Sequence, residues 1–416
     1  MTGFSVADYQ PGDRLYLWWL GVPERPRYVG ELMMARSLKG VSLRYDDSWI
    51  RSGFALSEDL PLTTGEHLPR AKETAAGAVD DARPDRWGER VIAYLDKPPR
   101  RALLDLLWYC GDERFGALGV SVSRETYLPR RLGPLPQLRD VGDMELLVQR
   151  IFSGEPVAEQ QRRLIAPGVT MGGARPKGLM QAQGSQWVVK FSEPGEDFDS
   201  PLVEHASMTL CRQAGIQVAE SFAIALAGRG HAVAIKRFDR SPQGRIHAVS
   251  AGVALRAAGQ EFGYPELAQL LRRIGPTDAH ARGADMKELF RRMVANILLD
   301  NTDDHERNHV LLAEDTGAWR LSPAFDVLPT GQALGYQQMR VGRDGHDASL
   351  SNALSESRQF GLTPDEAQDL VREVSQVVAG WQAHFRSLGV SDQDIAHLSQ
   401  QIDRPFLLDQ RQAYTR

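Results

Sequence analysis

The sequence predicts an α+β protein with a β-rich amino-terminal module, a mixed central lobe and a helical carboxy-terminal lobe. Three observations support this. Short apolar runs broken by Gly and Pro open the chain, and strand-like and helix-like patterns then mix between residues 142 and 262. From Pro265 onward, apolar residues recur mainly at helical spacing. Pro129, Gly133, Pro134 and Pro136 mark a linker near residues 125–141. The expected segments are therefore 1–141, 142–262 and 263–416.

Composition narrows the class. The chain has 416 residues, 42% hydrophobic and 25% charged, which suits a globular protein of two or three domains. A formal net charge of −5 gives no global drive toward nucleic acid or acidic membrane. Cys110 and Cys211 sit in apolar helical contexts and suggest buried thiols rather than a disulfide framework. The amino terminus shows no targeting signal, and no apolar run approaches membrane-spanning length. A cytoplasmic protein without a membrane partner is expected.

Residues 15–20 read as a strand turned by Gly21-Val22-Pro23, with residues 28–32 and 41–45 as its partners. Trp18 and Trp19 face opposite sides of that strand, which leaves either a buried pair or one ring exposed at an interface. Pro84 and Asp85 open a helix over residues 82–91, a capping and packing signature. Residues 168–177 form a loop containing Gly172, Gly173, Ala174, Arg175, Pro176 and Lys177. Small residues let backbone N–H groups approach phosphate oxygens, although the spacing is not that of a Walker A loop. The next strand, residues 187–191, carries Lys190 among apolar neighbours, and a buried ammonium requires an acceptor.

Ser200-Pro201 caps and starts a helix ending near Gly215, and Glu204 lies early enough on it to orient Lys190. Residues 232–240 make a strand that ends in Lys236-Arg237-Phe238-Asp239-Arg240. Asp315-Thr316-Gly317 turns a hairpin between residues 310–312 and 319–321. Thr363-Pro364-Asp365-Glu366 is a capping box, and an apolar stripe follows from Ala367 to Phe385, ended by Gly389.

The densest polar cluster is Asn301-Thr302-Asp303-Asp304-His305-Glu306-Arg307-Asn308-His309, set between an amphipathic helix and an apolar triplet. Asp303 and Asn308 have the spacing of a protein-kinase catalytic loop, where the Asp accepts a hydroxyl proton and the Asn holds Mg²⁺. His305, Glu306 and His309 also match H-E-x-x-H, a zinc-hydrolase pattern that needs both histidines on one helix face. Turn-forming residues precede the pattern and an apolar strand follows it, which disfavours zinc. An exposed polar loop without chemistry is the third reading. Phe325-Asp326 places an acid directly after an aromatic, as at the kinase metal-binding Asp.

Thr302-Asp303-Asp304-His305-Glu306-Arg307-Asn308, followed by Pro323-Ala324-Phe325-Asp326-Val327-Leu328-Pro329, resembles the HipA-like serine/threonine kinases. These are toxins of bacterial toxin–antitoxin pairs with a fold similar to the phosphatidylinositol 3/4-kinases. Pro84-Asp85-Arg86-Trp87-Gly88 and the Gly116-Ala117-Leu118 turn resemble the amino-terminal region of such chains. The resemblance implies a bilobal kinase-like fold with ATP and Mg²⁺ between the lobes. It implies Asp303 as general base, and Asn308 and Asp326 as Mg²⁺ ligands. It further implies phosphate contacts from the residue 172–176 backbone, Lys177, Lys190, His305 and Arg307, and adenine contacts from the backbone at Lys236 and Phe238. Lys236 stands where relatives often carry Glu, which leaves the backbone contact in place. Thr170 occupies the position of an autophosphorylated serine. A protein substrate such as an aminoacyl-tRNA synthetase is implied, together with a small helix-turn-helix antitoxin of HipB type through which alone DNA is met. The rival readings are an antitoxin-binding regulator of a DNA complex with little kinase activity, a small-molecule kinase, and the zinc hydrolase.

Overall fold

Alternation of apolar and polar residues near the amino terminus is realised as an antiparallel sheet in the computed structural model of the chain. The structure describes residues 9–168, 173–228, 230–330 and 333–415. Strands β1 (Arg14–Trp19), β2 (Arg27–Ala35), β3 (Gly40–Tyr45), β4 (Glu66–His67) and β5 (Leu118–Ser121) pair in the order β4-β3-β2-β1-β5. Leu15, Leu17, Val29, Leu32, Val41 and Leu43 fill its buried side. A bulge between Leu17 and Trp18 shifts the register on β2. Trp18 is buried against Tyr28 and Tyr127, while the half-buried Trp19 packs on Trp49, Phe54 and His247. Both rings therefore serve the interior of the module.

Contacts group the chain into two compact units, each discontinuous in sequence: Met1–Pro194 with Arg237–Ala258, and Gly195–Lys236 with Gly259–Arg416. In the first unit, the linker stretch gives way to the helix Val141–Ser153. Strands β6 (Lys177–Ala182) and β7 (Ser185–Lys190) then form a hairpin whose open end pairs Lys177 with Lys190. Residues 237–240 return to this unit. Arg237 donates to both carboxylate oxygens of Asp239, at 2.9 and 2.7 Å, and Arg240 adds a bond of 2.8 Å. Asp239 also accepts the Gly116 N–H, and both arginines donate to the Arg114 carbonyl. The end of the Arg-Phe-Asp-Arg segment is thus a buried ionic knot that fixes the Gly116 turn.

In the second unit, the helix Ser200–Gln213 packs on the hairpin β8 (Ser221–Ala225) and β9 (His231–Lys236). Its N-cap is Asp199 rather than the expected Ser200, because the Asp199 carboxylate accepts the Leu202 N–H. Helices Tyr264–Ile274 and Ala279–Leu298 precede the polar cluster, and the hairpin Val310–Ala313/Trp319–Leu321 follows it. The Thr363–Glu366 capping box forms as its sequence predicts. The stripe beyond it is two helices rather than one, Pro364–Ala379 and Trp381–Ser387, broken at Gly380. Glycine there costs the helix about 1 kcal/mol relative to alanine, enough to favour a bend. Among the described residues, no helix is long and apolar enough to cross a membrane.

Candidate active site

The helix Ala279–Leu298 delivers the chain to the polar cluster, and Asp300 ends it in the left-handed region (φ +54). Asparagine and aspartate tolerate that conformation better than most residues. The turn is then pinned from several sides. The Asp300 carboxylate takes the Arg404 guanidinium at 2.6 Å and the Ala333 N–H at 3.2 Å. Asn301 donates to Asn296 Oδ1 (3.0 Å), and the hydroxyls of Thr302 and Thr330 meet at 2.7 Å. These bonds leave little freedom for the residues that follow.

Asp303 is exposed and Asp304 is buried, so two adjacent acids have opposite environments. Asp304 accepts from the Tyr264 hydroxyl and from His309 Nε2 at 2.8 Å. Asn296 Nδ2 donates to Tyr264 Oη at 3.3 Å. Burial pushes the Asp304 carboxyl up, but the charge and hydrogen bond of His309, together with Tyr264, outweigh it and hold the group below its ordinary value. Burial, reinforced by the Asp304 charge, pushes the Tyr264 phenol well above its ordinary value. Asp304 is therefore an ionised internal strut, and Asp303 is the carboxylate presented to solvent.

The next residues contain an informative defect. Asn308 Oδ1, His309 Nδ1 and the nearby Arg292 Nη1 are buried atoms with no hydrogen-bond partner among the described residues. An unsatisfied buried acceptor costs about 1–3 kcal/mol. A small cavity lined by Arg292, Asn296, Asp304, Asn308, His309 and Phe325 adjoins them. Asn308 Oδ1 is thus an uncompensated oxygen of the kind a hard cation takes as ligand.

The Phe-Asp segment is held independently. Ala324 exchanges backbone bonds with Gln217 and Ala219 at 2.7 and 2.9 Å. Arg292, paired with Glu288, donates to the Ser322 carbonyl at 2.7 Å. Phe325 is buried, and Asp326 is half-buried with φ +59, a left-handed conformation that turns the chain at this acid. The Asp326 carbonyl accepts Asn301 Nδ2 at 3.5 Å, which links the two acidic segments. Asp303, Asn308 and Asp326 all belong to the second unit.

The zinc alternative fails on this geometry. Residues 305–309 are turn and bend, not helix, and His309 Nε2 is already committed to Asp304. Among the described residues, no three His, Cys, Asp or Glu side chains converge as metal ligands. His305 is half-buried and its Nδ1 accepts the Arg307 N–H at 3.3 Å, while the Arg307 side chain is exposed.

The described residues of the glycine-containing loop belong to the first unit. Gly172 and Thr170 fall outside the described residues. Gly173 and Ala174 are exposed, Arg175 is half-buried, and the Pro176 carbonyl accepts the Phe191 N–H at 2.9 Å. Lys177 and Lys190 are both buried, and Lys177 Nζ reaches Asp85 Oδ2 at 2.5 Å and the Gly173 carbonyl at 2.7 Å. Lys236 belongs to the second unit; its N–H is committed to the Glu220 carbonyl and its ammonium lies 2.8 Å from the Glu220 carboxylate. Phe238 packs edge-on to Phe115 in the first unit. Sequence reasoning did not find Tyr264, Asp300, Asp304, Arg404 or Asp85 as supports. Nothing in the sequence told Asp304 from the adjacent Asp303; its burial depends on Tyr264 and His309 as partners.

The elements above make a mixed α+β fold, and one loop of it carries an exposed Asp and a buried Asn, with a left-handed Asp on the segment that follows. Residues 24–121 match the model of the HipA N-terminal domain, and residues 169–381 match that of the HipA-like C-terminal domain. The chain belongs to the HipA-like family. A Sinorhizobium fredii protein named "Putative kinase Y4dM" is 30% identical over 207 residues, 46% of this chain and 46% of that protein. A Haemophilus influenzae protein named "Putative kinase" is 28% identical over 140 residues, 30% of this chain and 40% of that protein. The chain thus spans less than half the length of these curated relatives. The fold is also similar to the structure of the Shewanella oneidensis toxin–antitoxin system HipA, HipB and its operator DNA. That match has a TM-score of 0.65 and 17% identity, and covers 95% of this chain and 97% of that one.

Proposed function

We propose that the chain is an ATP- and Mg²⁺-dependent serine/threonine protein kinase of HipA type. The observation that carries this reading is the buried Asn308 Oδ1, which has no hydrogen-bond partner among the described residues, on the same short loop as the exposed Asp303. An orphaned acceptor that a cation would satisfy, on the same loop as an exposed carboxylate, fits phosphoryl transfer better than a purely structural loop.

In this reading, Asp303 takes the proton of the attacking hydroxyl as its oxygen bonds to the γ-phosphorus and the bond to the ADP oxygen breaks. Asn308 Oδ1 and the Asp326 carboxylate would hold Mg²⁺, and the ion would supply charge neutralisation at the phosphate oxygens. Lys177, Lys190, His305 and Arg307 supply further positive charge or donors, and the backbone of residues 172–176 cradles the phosphates. The backbone at Lys236 and Phe238 meets the adenine. Asp304, Tyr264 and His309 keep the loop in shape without touching substrate. In sequence, segment 1–141 carries the amino-terminal HipA region, 142–262 the nucleotide-binding residues and 263–416 the catalytic residues, although the two compact units cut across these bounds.

The substrate is a protein, and family resemblance makes an aminoacyl-tRNA synthetase the first to test. The partner is a small helix-turn-helix antitoxin of HipB type, through which the complex meets DNA. The HipA–HipB–operator complex of the structural relative supports that partner class. Incubating purified protein with MgATP, followed by intact mass and peptide mapping, tests transfer and asks whether Thr170 accepts phosphate. Phosphate incorporation that is lost in Asp303→Asn is the expected result. Failure of the wild-type chain to bind MgATP contradicts the kinase reading.

A further inference from the structure

The Pro84-Asp85-Arg86-Trp87-Gly88 stretch has no part in the chemistry above, yet it grips the nucleotide loop at three points. Asp85 Oδ1 caps the helix Arg86–Val91 by accepting the Gly88 N–H at 2.8 Å. Its other oxygen, Oδ2, receives the Lys177 ammonium at 2.5 Å. Trp87 Nε1 donates to the Lys177 carbonyl at 2.8 Å, and its buried ring stacks on Phe152. A Cβ on Gly88 would lie 2.2 Å from the Pro167 carbonyl oxygen, so the helix start is pressed against the backbone that leads into the loop.

Charge explains why the contact is needed. Lys177 and Lys190 are paired in register across the β6–β7 hairpin, and residues opposite each other in an antiparallel pair project to the same face. Both side chains are buried. Two ammonium groups placed so are unfavourable unless carboxylate offsets them, and desolvation raises the cost. Asp85 supplies a carboxylate to Lys177 from outside the hairpin. Lys177 Nζ in turn bonds the Gly173 carbonyl at 2.7 Å, so the position of Asp85 is transmitted to the described end of the glycine-containing loop.

We propose that Asp85 is a positioning residue for nucleotide binding, acting through Lys177, with Trp87 holding the same lysine by its backbone. The inference rests on the ATP reading of the loop. It assigns the amino-terminal motif a role in substrate affinity rather than in folding alone. A motif in the amino-terminal region thereby sets the geometry of a phosphate-binding lysine far along the sequence.

The test separates charge from capping. Asparagine caps helices about as well as aspartate, so Asp85→Asn keeps the Gly88 bond and removes only the anion. Hydrogen bonds to charged groups are worth enough that MgATP affinity, measured by calorimetry, is expected to weaken about ten- to a hundredfold. The change should appear in KM for ATP more than in kcat. Lys177→Met should weaken binding too, and Asp85→Asn should add nothing further on that background. Unchanged affinity in Asp85→Asn, or full additivity with Lys177→Met, overturns the inference while leaving the kinase reading intact. If wild-type protein binds no MgATP, both fall together. Should Asp85→Asn not yield folded protein, Trp87→Phe removes the indole N–H and keeps the ring. A several-fold loss of MgATP affinity supports the clamp, and unchanged affinity overturns it.

Discussion

Replacing Asp239 with asparagine tests whether the Arg-Phe-Asp-Arg segment is structural beyond its strand. The carboxylate is fully buried and takes four hydrogen bonds, from Arg237 twice, Arg240 and Gly116. Burial alone would raise its pKa, but Arg237 and Arg240 overcome that and hold it down at about 2, against an ordinary 3.8. A depressed carboxyl pKa contributes stability that is present above the unfolded value and lost as pH falls through the folded one. For Asp239 that contribution is about 2 kcal/mol at neutral pH. Asparagine forfeits it and leaves the buried Arg237 guanidinium without its carboxylate, while Arg240 keeps Glu113 at 3.8 Å, for a total cost of about 3–5 kcal/mol. Urea unfolding followed by hydrogen exchange in residues 112–121 reads the loss. The gap between wild type and variant should narrow by about 1 kcal/mol between about pH 5 and about pH 3, because the wild-type carboxyl begins to protonate in the unfolded chain. A variant as stable as wild type, or a gap that does not change over that range, refutes the reasoning.

Other outcomes follow from single sites. Burial holds the His247 imidazole down at about 4, so the folded chain prefers the neutral ring. Stability should therefore fall by about 3 kcal/mol as pH drops from about 6.5 to about 4, and His247→Gln should flatten that slope in thermal melts. Tyr264→Phe removes a donor to Asp304 and should cost about 1–2 kcal/mol in denaturant unfolding, with a fall in kcat because Asp304 adjoins Asp303 on the same loop. Gly88→Ala forces a Cβ against the Pro167 carbonyl and should cost about 1–3 kcal/mol, read as a lower unfolding midpoint. Expression of the chain without a partner should slow growth, and Asp326→Ala should relieve it; equal growth inhibition by both forms would contradict toxicity through phosphoryl transfer.

The parts of the fold legible in the sequence are those set by local pattern. The strand carrying Lys190, the Asp315-Thr316-Gly317 hairpin and the Thr363–Glu366 capping box each follow from neighbours within a few residues, and each forms. The family was legible because Asp303, Asn308 and Asp326 stand at fixed spacing around two apolar segments. The supports of the site were not, because their partners are remote in sequence. Asp85 meets Lys177 and Asp300 meets Arg404, and no periodicity announces a pairing across some ninety or a hundred residues. The split of the carboxy-terminal stripe at Gly380 was missed for a different reason: the apolar pattern runs on through the bend, so only the glycine marked it.

Transfer of the γ-phosphate of MgATP by the purified chain, measured beside Asp303→Asn, bears most directly on the proposed activity. Wild-type protein should transfer phosphate to protein serine or threonine. Asp303→Asn should remain folded, still bind MgATP, and lose at least about a hundredfold in rate, the usual contribution of a positioned general base. Equal rates in the two proteins, or no transfer and no nucleotide binding by the wild type, would contradict the assignment of Asp303, Asn308 and Asp326 as a kinase site.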